Sequence, residues 1–233
     1  MKNLLELTVV YKNGGCDKVG MVVENIYNGG YAGRNQEHVR EHIEELAKVG
    51  VPAPTTTPTL YPLANYNLTT ADRIQVQNSE TSGEIEYVLL WQAGRAYVTV
   101  GSDHTDRELE NFSVAKSKQA CPNIIAKEVW LYEDVKDHWD QIQLKCWVTK
   151  DGQRVLYQDA TLAALMRWEE WEPIFTKLGI TKLNNSVFFS GTINTVGKAL
   201  IFADKYELEM IDPVLGRSLR HEYTVQVLPD GIK

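Results

Sequence analysis

The chain has 233 residues, 43% of them hydrophobic and 24% charged, an ordinary globular composition that excludes a disordered polymer. Its formal net charge of -7 speaks against nucleic acid, whose phosphate backbone is met by clustered Lys and Arg, and favours a small-molecule partner. No apolar run has the length of a membrane span, Glu6 comes too early for a leader segment, and Cys16, Cys121 and Cys146 lack paired spacing; we therefore expect a reduced cytoplasmic protein with no membrane partner and no zinc site.

Leu4 to Tyr11 and Val19 to Ile26 have strand character and turn at Gly14-Gly15, which predicts a β-hairpin lead-in within residues 1-30. Asn35 is placed to cap a helix from Gln36 to Val49 that stops at Gly50. Val39, Ile43 and Leu46 form its apolar stripe. At about 100° per residue, His38, His42 and Glu45 flank that stripe, with Glu41 a little further round. The proline-dense run Val51 to Pro62 must be extended, because proline fixes its own φ and biases the residue before it.

Glu84 to Leu90 reads as a strand, and Ala96 to Val100 as its partner across a turn at Gln92 to Arg95. Side chains alternate along a strand, so Glu84 and Glu86 share a face. A fold about Gly94 sets Glu86 opposite Ser102, with Asp103 beside both glutamates. Three carboxylates that close repel unless a cation sits between them, and a hard divalent ion, Mg²⁺ before Ca²⁺, is the natural filler.

Further on, Gln141 to Val148 is a strand turning at Asp151-Gly152, and Leu162 to Leu178 is a helix, irregular near Pro173 and ended by Gly179. Ser186 to Ser190, Lys205 to Ile211 and His221 to Val227 complete the strands. His138 with Asp140 is read as structural. Trp168 and Trp171 are read as packing the core or a dimer contact. The balance is β-rich α+β, with one early and one late helix, and the length favours a single domain over 1-233.

Five segments, in order, resemble the fumarylacetoacetate hydrolase family, the metal-dependent group that includes acylpyruvate hydrolases and oxaloacetate decarboxylases. Gly33-Arg34-Asn35 with the His-x-x-Glu helix resembles its catalytic loop and helix. Glu84-Ile85-Glu86 resembles its Glu-x-Glu metal pair. Asp103 to Glu108 is similar to its Asp-x-Ser/Thr-x-Arg-Asp signature, Ala115-Lys116-Ser117 to the segment of its active-site lysine, and Ser190 to Gly197 to its Thr-Gly-Thr-Pro-x-Gly-Val-Gly loop.

The resemblance implies a fumarylacetoacetase C-terminal-like mixed β-sheet roll with few helices, and a homodimer. It also implies Mg²⁺ or Mn²⁺ on Glu84, Glu86 and Asp103, and a carboxylate substrate that is a 2-oxo or 1,3-dicarbonyl acid. The expected reaction is hydrolysis of a C–C bond through a metal-stabilised enolate. Decarboxylation, dehydration or tautomerisation on the same site, and non-catalytic carboxylate binding, are the alternatives. His38 with Glu41, or His42 with Glu45, would be the base; the family's spacing from the glycine of the loop falls between the two. Lys116 would supply positive charge, and Arg34, Asn35 and Thr192 would meet the substrate's polar end. Thr-Ile-Asn where the family has Thr-Pro-x marks an outlying branch.

Overall fold

The structure, a computed structural model, describes residues 2–48 and 53–231, with the side chains of residues 38, 42 and 45–48 outside the described set. The strands in chain order are β1 (Asn3–Val10), β2 (Cys16–Val23), β3 (Asn25–Gly30), β4 (Thr59–Leu63), β5 (Leu68–Thr69) and β6 (Arg73–Val76). Then follow β7 (Thr81–Ser82), β8 (Ile85–Gln92), β9 (Arg95–Asp103), β10 (Thr105–Asp106), β11 (Asn123–Ile125) and β12 (Glu128–Leu131). The last are β13 (Gln143–Lys150), β14 (Gln153–Thr161), β15 (Ser186–Phe189), β16 (Lys205–Asp212) and β17 (Arg217–Val227). The helices are α1 (Gln36–Lys48), α2 (Arg107–Glu110), α3 (Val114–Ala120), α4 (Tyr132–Val135) and α5 (Trp168–Lys177).

The expected β-rich α+β architecture is what forms. A mixed sheet runs β2-β1-β12-β9-β8-β15-β3-β4, with β11 paired to β9 and β5, and faces a second sheet of order β14-β13-β16-β17-β6. β7 and β10 form a short separate ribbon. Alternation along β8 and β9 divides their apolar side chains between two cores. Ile85, Tyr87, Leu89, Val98 and Val100 pack with Trp130, Trp139, Tyr206 and Tyr223 between the sheets. Val88, Leu90 and Tyr97 face the other way, against Leu5, Leu7, Val9, Met21 and Phe189, on the other face of the curled large sheet.

The N-terminal hairpin is therefore more than a lead-in, since Leu5, Leu7, Val9, Met21 and Val23 build part of the second core. The strand expected from Val19 to Ile26 is two strands. At Glu24 the backbone N–H turns to the Asn185 carbonyl (2.8 Å), which leads β3 into parallel pairing with β15. The late helix is shorter than expected, beginning at Trp168, and its Trp168 and Trp171 are core residues beside Phe175 and Phe188. The helix end expected at Val49-Gly50 lies outside the described residues. No helix among the described residues is long and apolar enough to cross a membrane.

Gly101 is the close-packing point between the second core and the hairpin. A Cβ there would lie 2.6 Å from the Ile124 carbonyl oxygen and 2.7 Å from Val88 Cγ2. Backbone cannot yield as a side-chain tip does, so Gly101→Ala is expected to destabilise the protein by about 1–3 kcal/mol in urea unfolding, the usual cost of overpacking. Wild-type stability in that variant would show that β9 and β11 can separate without cost.

Candidate metal centre

The site begins with a turn. Ala93 and Gly94 have φ of 51° and 75°, the paired positive values of a tight two-residue hairpin loop, and they set Gln92 opposite Arg95. Counting back, Ile85 pairs with Ser102 and Glu86 with Gly101. The expected pairing of Glu86 with Ser102 is thus wrong by one residue, because the loop is centred between Ala93 and Gly94 and not on Gly94. The slip matters, since one residue of register moves every side chain to the opposite face. In the observed register Glu84 lies across from Asp103, whose N–H donates to the Glu84 carbonyl at 3.1 Å. Glu84, Glu86, Gly101 and Asp103 then share one face.

Carboxylate oxygens of Glu84, Glu86 and Asp103 lie within 4.8 Å of one another. Glu86 and Asp103 are wholly buried, at the end of the apolar face built by Val88 and Phe189. Each has one oxygen engaged. The Gly191 N–H donates to Glu86 Oε2 at 2.8 Å, and Lys118 Nζ donates to Asp103 Oδ2. Their other oxygens, Glu86 Oε1 and Asp103 Oδ1, are buried without a partner. Asn28, whose amide also bonds that of Asn123 at 3.2 and 3.3 Å, adjoins Asp103 and helps to hold its carboxyl down against burial. Leaving such an acceptor unmet costs on the order of 1–3 kcal/mol, so two on one face are a donor set in want of a cation. All-oxygen, anionic donors fit Mg²⁺ or Mn²⁺.

Two cations from the following helices balance the cluster. Arg107 Nη2 lies 2.8 Å from Glu84 Oε1, and its other nitrogens bond Glu110 and Ser82. Lys118 Nζ also lies 3.5 Å from Glu84 Oε2. Burial pushes the Glu84 carboxyl up, but the Arg107 and Lys118 charges outweigh it and hold the group at about 2. Burial pushes Glu86 well above the ordinary range, and repulsion from Asp103 adds to it. Asp103 is raised by burial against the pull of Lys118. Burial also opposes the charge on Lys118, yet the surrounding carboxylates raise its pKa overall. One carboxylate is permanently ionised and its two neighbours retain protons unusually well.

Other expected residues fall differently. Lys116 is exposed, and the lysine in the cluster is Lys118. The segment is a helix capped by Ser113, in which Val114, Ser117, Lys118 and Cys121 recur at helical spacing on the inner side; Lys116 lies off that stripe. Arg34 donates to Asp140 in two bonds of 2.8 Å and to the Leu165 carbonyl at 3.0 Å, so it fastens the 33–35 loop to the segment before α5. Asn35 accepts from the Glu37 N–H at 3.1 Å at the start of α1. Thr192 donates to the Ile85 carbonyl and accepts from Gln158 Nε2, both at 2.8 Å, which ties its loop to the start of β8. Glu41 is exposed, while the side chains of His38, His42 and Glu45 lie outside the described residues. His138 bonds Asp212 at 2.9 Å, a structural pairing.

Residues 29–223 match the model of a family described as protein of unknown function, DUF2848. The chain belongs to that family. No curated protein matches its sequence. Among solved structures, 2-keto-3-deoxy-D-arabinonate dehydratase complexed with magnesium and 2,5-dioxopentanoate aligns with a TM-score of 0.60 at 13% identity, over 91% of this chain and 78% of that one. A yeast fumarylacetoacetate hydrolase family protein also gives 0.60 at 13%, over 90% and 95%. The 4-oxalocrotonate decarboxylase from Pseudomonas putida G7, complexed with magnesium and adipate, gives 0.56 at 18%, over 86% and 77%. The fold of this DUF2848 chain is that of the fumarylacetoacetate hydrolase family.

Proposed function

We propose that the protein is a metal-dependent enzyme acting on 2-oxo or 1,3-dicarbonyl carboxylic acids, cleaving a C–C bond by hydrolysis. The observation that carries this reading is the pair of buried, unpartnered oxygens on Glu86 and Asp103 beside the Lys118 ammonium. Bound Mg²⁺ or Mn²⁺ would act as a Lewis acid toward a substrate that chelates through two oxygens, favouring its enolate. Glu84, Glu86 and Asp103 would hold the ion. Lys118, kept protonated by its carboxylate neighbours, presents fixed positive charge to a substrate carboxylate or a developing oxyanion. Arg107 keeps Glu84 ionised, so one ligand stands ready at any ordinary pH. His38 with Glu41, or His42 with Glu45, takes the proton from water in this reading.

The ligands complexed in two structural neighbours, magnesium with 2,5-dioxopentanoate and magnesium with adipate, support the class of substrate. These two neighbours, a dehydratase and a decarboxylase, favour a second reading in which these residues serve loss of water or CO₂. A thermal-shift screen of 2-oxo acids, with oxalate as enolate mimic, tests the common ground. Oxalate is expected to raise the Tm only when Mg²⁺ is present; equal shifts without the metal would overturn the reading. For any acid turned over, release of two acids, of CO₂ or of water separates the reactions. Single His38→Asn and His42→Asn changes then identify the base by an expected loss of about 10²- to 10⁴-fold in kcat.

A further inference from the structure

Behind the metal-facing side of β9, on the side turned to the second sheet, lies a chain of buried polar groups that none of the sequence motifs explains. The Glu84 N–H donates to Ser102 Oγ at 3.1 Å. Ser102 Oγ lies 2.9 Å from the Tyr223 hydroxyl, which lies 3.1 Å from His104 Nδ1, and His104 Nε2 lies 2.9 Å from Thr81 Oγ1. Ser102, His104 and Thr81 are at most 3% exposed, and Tyr223 1%. One placement of protons satisfies the run from end to end: Glu84 N–H to Ser102, Ser102 O–H to Tyr223, Tyr223 O–H to a neutral His104, and His104 Nε2–H to Thr81.

The same hydroxyl bears on the residue before Glu84. A Cβ on Gly83 would lie 2.2 Å from the Tyr223 oxygen, 2.7 Å from Ser102 Oγ and 3.0 Å from Tyr206 Cδ1. Tyr223 and Tyr206 are a cross-strand pair of β17 and β16, stacked at 5.2 Å and 10°. The peptide that carries Glu84 is thereby pressed between β9 and the C-terminal hairpin, on the side away from its carboxylate.

We infer that Tyr223, acting through Ser102, is a positioning residue that fixes the Glu84 backbone and so sets the place of one ligand in the metal centre. The inference rests on the metal reading above. Groups that orient metal ligands without touching the ion typically contribute 10- to 100-fold to affinity. Ground-state rigidity alone would not require the run to end on the ligand's own N–H.

The test uses Mn²⁺ as probe, with affinity and the line shape of the bound ion read by electron paramagnetic resonance on the full chain. Tyr223→Phe is expected to weaken Mn²⁺ binding about 10-fold and to change the spectrum. Ser102→Ala should do the same, and it decides the matter if Tyr223→Phe does not fold. Tyr132→Phe, which removes another buried tyrosine's bond (to Glu169, 2.9 Å), controls for stability and is expected to bind as wild type. Unchanged affinity and spectrum in both Tyr223→Phe and Ser102→Ala would overturn the inference and leave the metal site standing. Wild-type protein that binds no Mn²⁺, or binds it equally after Glu86→Gln, would overturn the metal reading and this inference with it.

Discussion

Glu86→Gln is expected to abolish the stabilisation of the protein by Mg²⁺ and to weaken Mn²⁺ binding by more than the ~10- to 100-fold that outer partners contribute. Glutamine keeps the shape and an acceptor for the Gly191 N–H, so the change removes charge and little else. It should also alter the pH dependence of the metal-free protein, with a sign that follows from burial. The Glu86 pKa is raised in the folded state above the ordinary 4.5, so its favourable contribution is present below 4.5 and is lost as pH rises through the folded value. Metal-free wild type should therefore lose stability as pH climbs above the carboxylate range. Added Mg²⁺ should restore it by replacing the proton with a cation. Glu84 works in the other direction, its contribution present above 4.5 and lost as pH falls toward about 2. Urea unfolding across pH, with and without chelator, measures both limbs. A Glu86→Gln protein with the same pH profile and the same response to Mg²⁺ as wild type would show that the cluster binds no ion.

Lys118→Met should have the second large effect, and Lys116→Ala almost none. Lys118 is buried among Asp103, Glu84 and Glu86, so removing its ammonium leaves carboxylates without compensation. Breaking a buried ion pair from one side costs about 3–5 kcal/mol, and the loss should be largest in chelator, where no other cation offsets it. On a substrate found by the oxalate screen, kcat should fall about 10²- to 10³-fold, the effect of removing one charge-stabilising donor. Lys116 is exposed on the other side of the same helix, and its replacement should leave both quantities unchanged. Equal losses in the two variants would show that charge in this helix, and not a contact with Asp103, is what matters.

The two lysines also show where sequence reading reaches its limit. Ala-Lys-Ser pointed to Lys116 by similarity of a short string. Reading Val114 to Cys121 as a helix would have put Lys118 with Val114, Ser117 and Cys121 on the buried stripe. Arg34 illustrates a different limit. Its loop was legible, but its partner Asp140 stands 106 positions away, and no local pattern announces that the guanidinium is already engaged. The acidic hairpin was found from strand alternation, and the convergence of Glu84, Glu86 and Asp103 holds even though the expected register does not. Register depends on where the loop is centred, and Gln-Ala-Gly-Arg admits a turn about Gly94 or one between Ala93 and Gly94 until the flanking cores choose one.

By itself the sequence determined what depends on neighbours within a few residues: the β-rich alternation, the start of α1 at Gln36, the turn glycines, and the three carboxylates of one hairpin. Tertiary structure decided what depends on pairs far apart in the chain. It chose Lys118 over Lys116 and engaged Arg34 with Asp140. It brought the Gly191 N–H to Glu86 from 105 positions away and set Tyr223 behind Glu84 through Ser102, 121 positions away. The physical reason is the same in each case. A side chain's charge and hydrogen-bonding capacity are written in its type, but which of them remain free for a metal or a substrate is fixed only when the sheets pack and the other partners have been met.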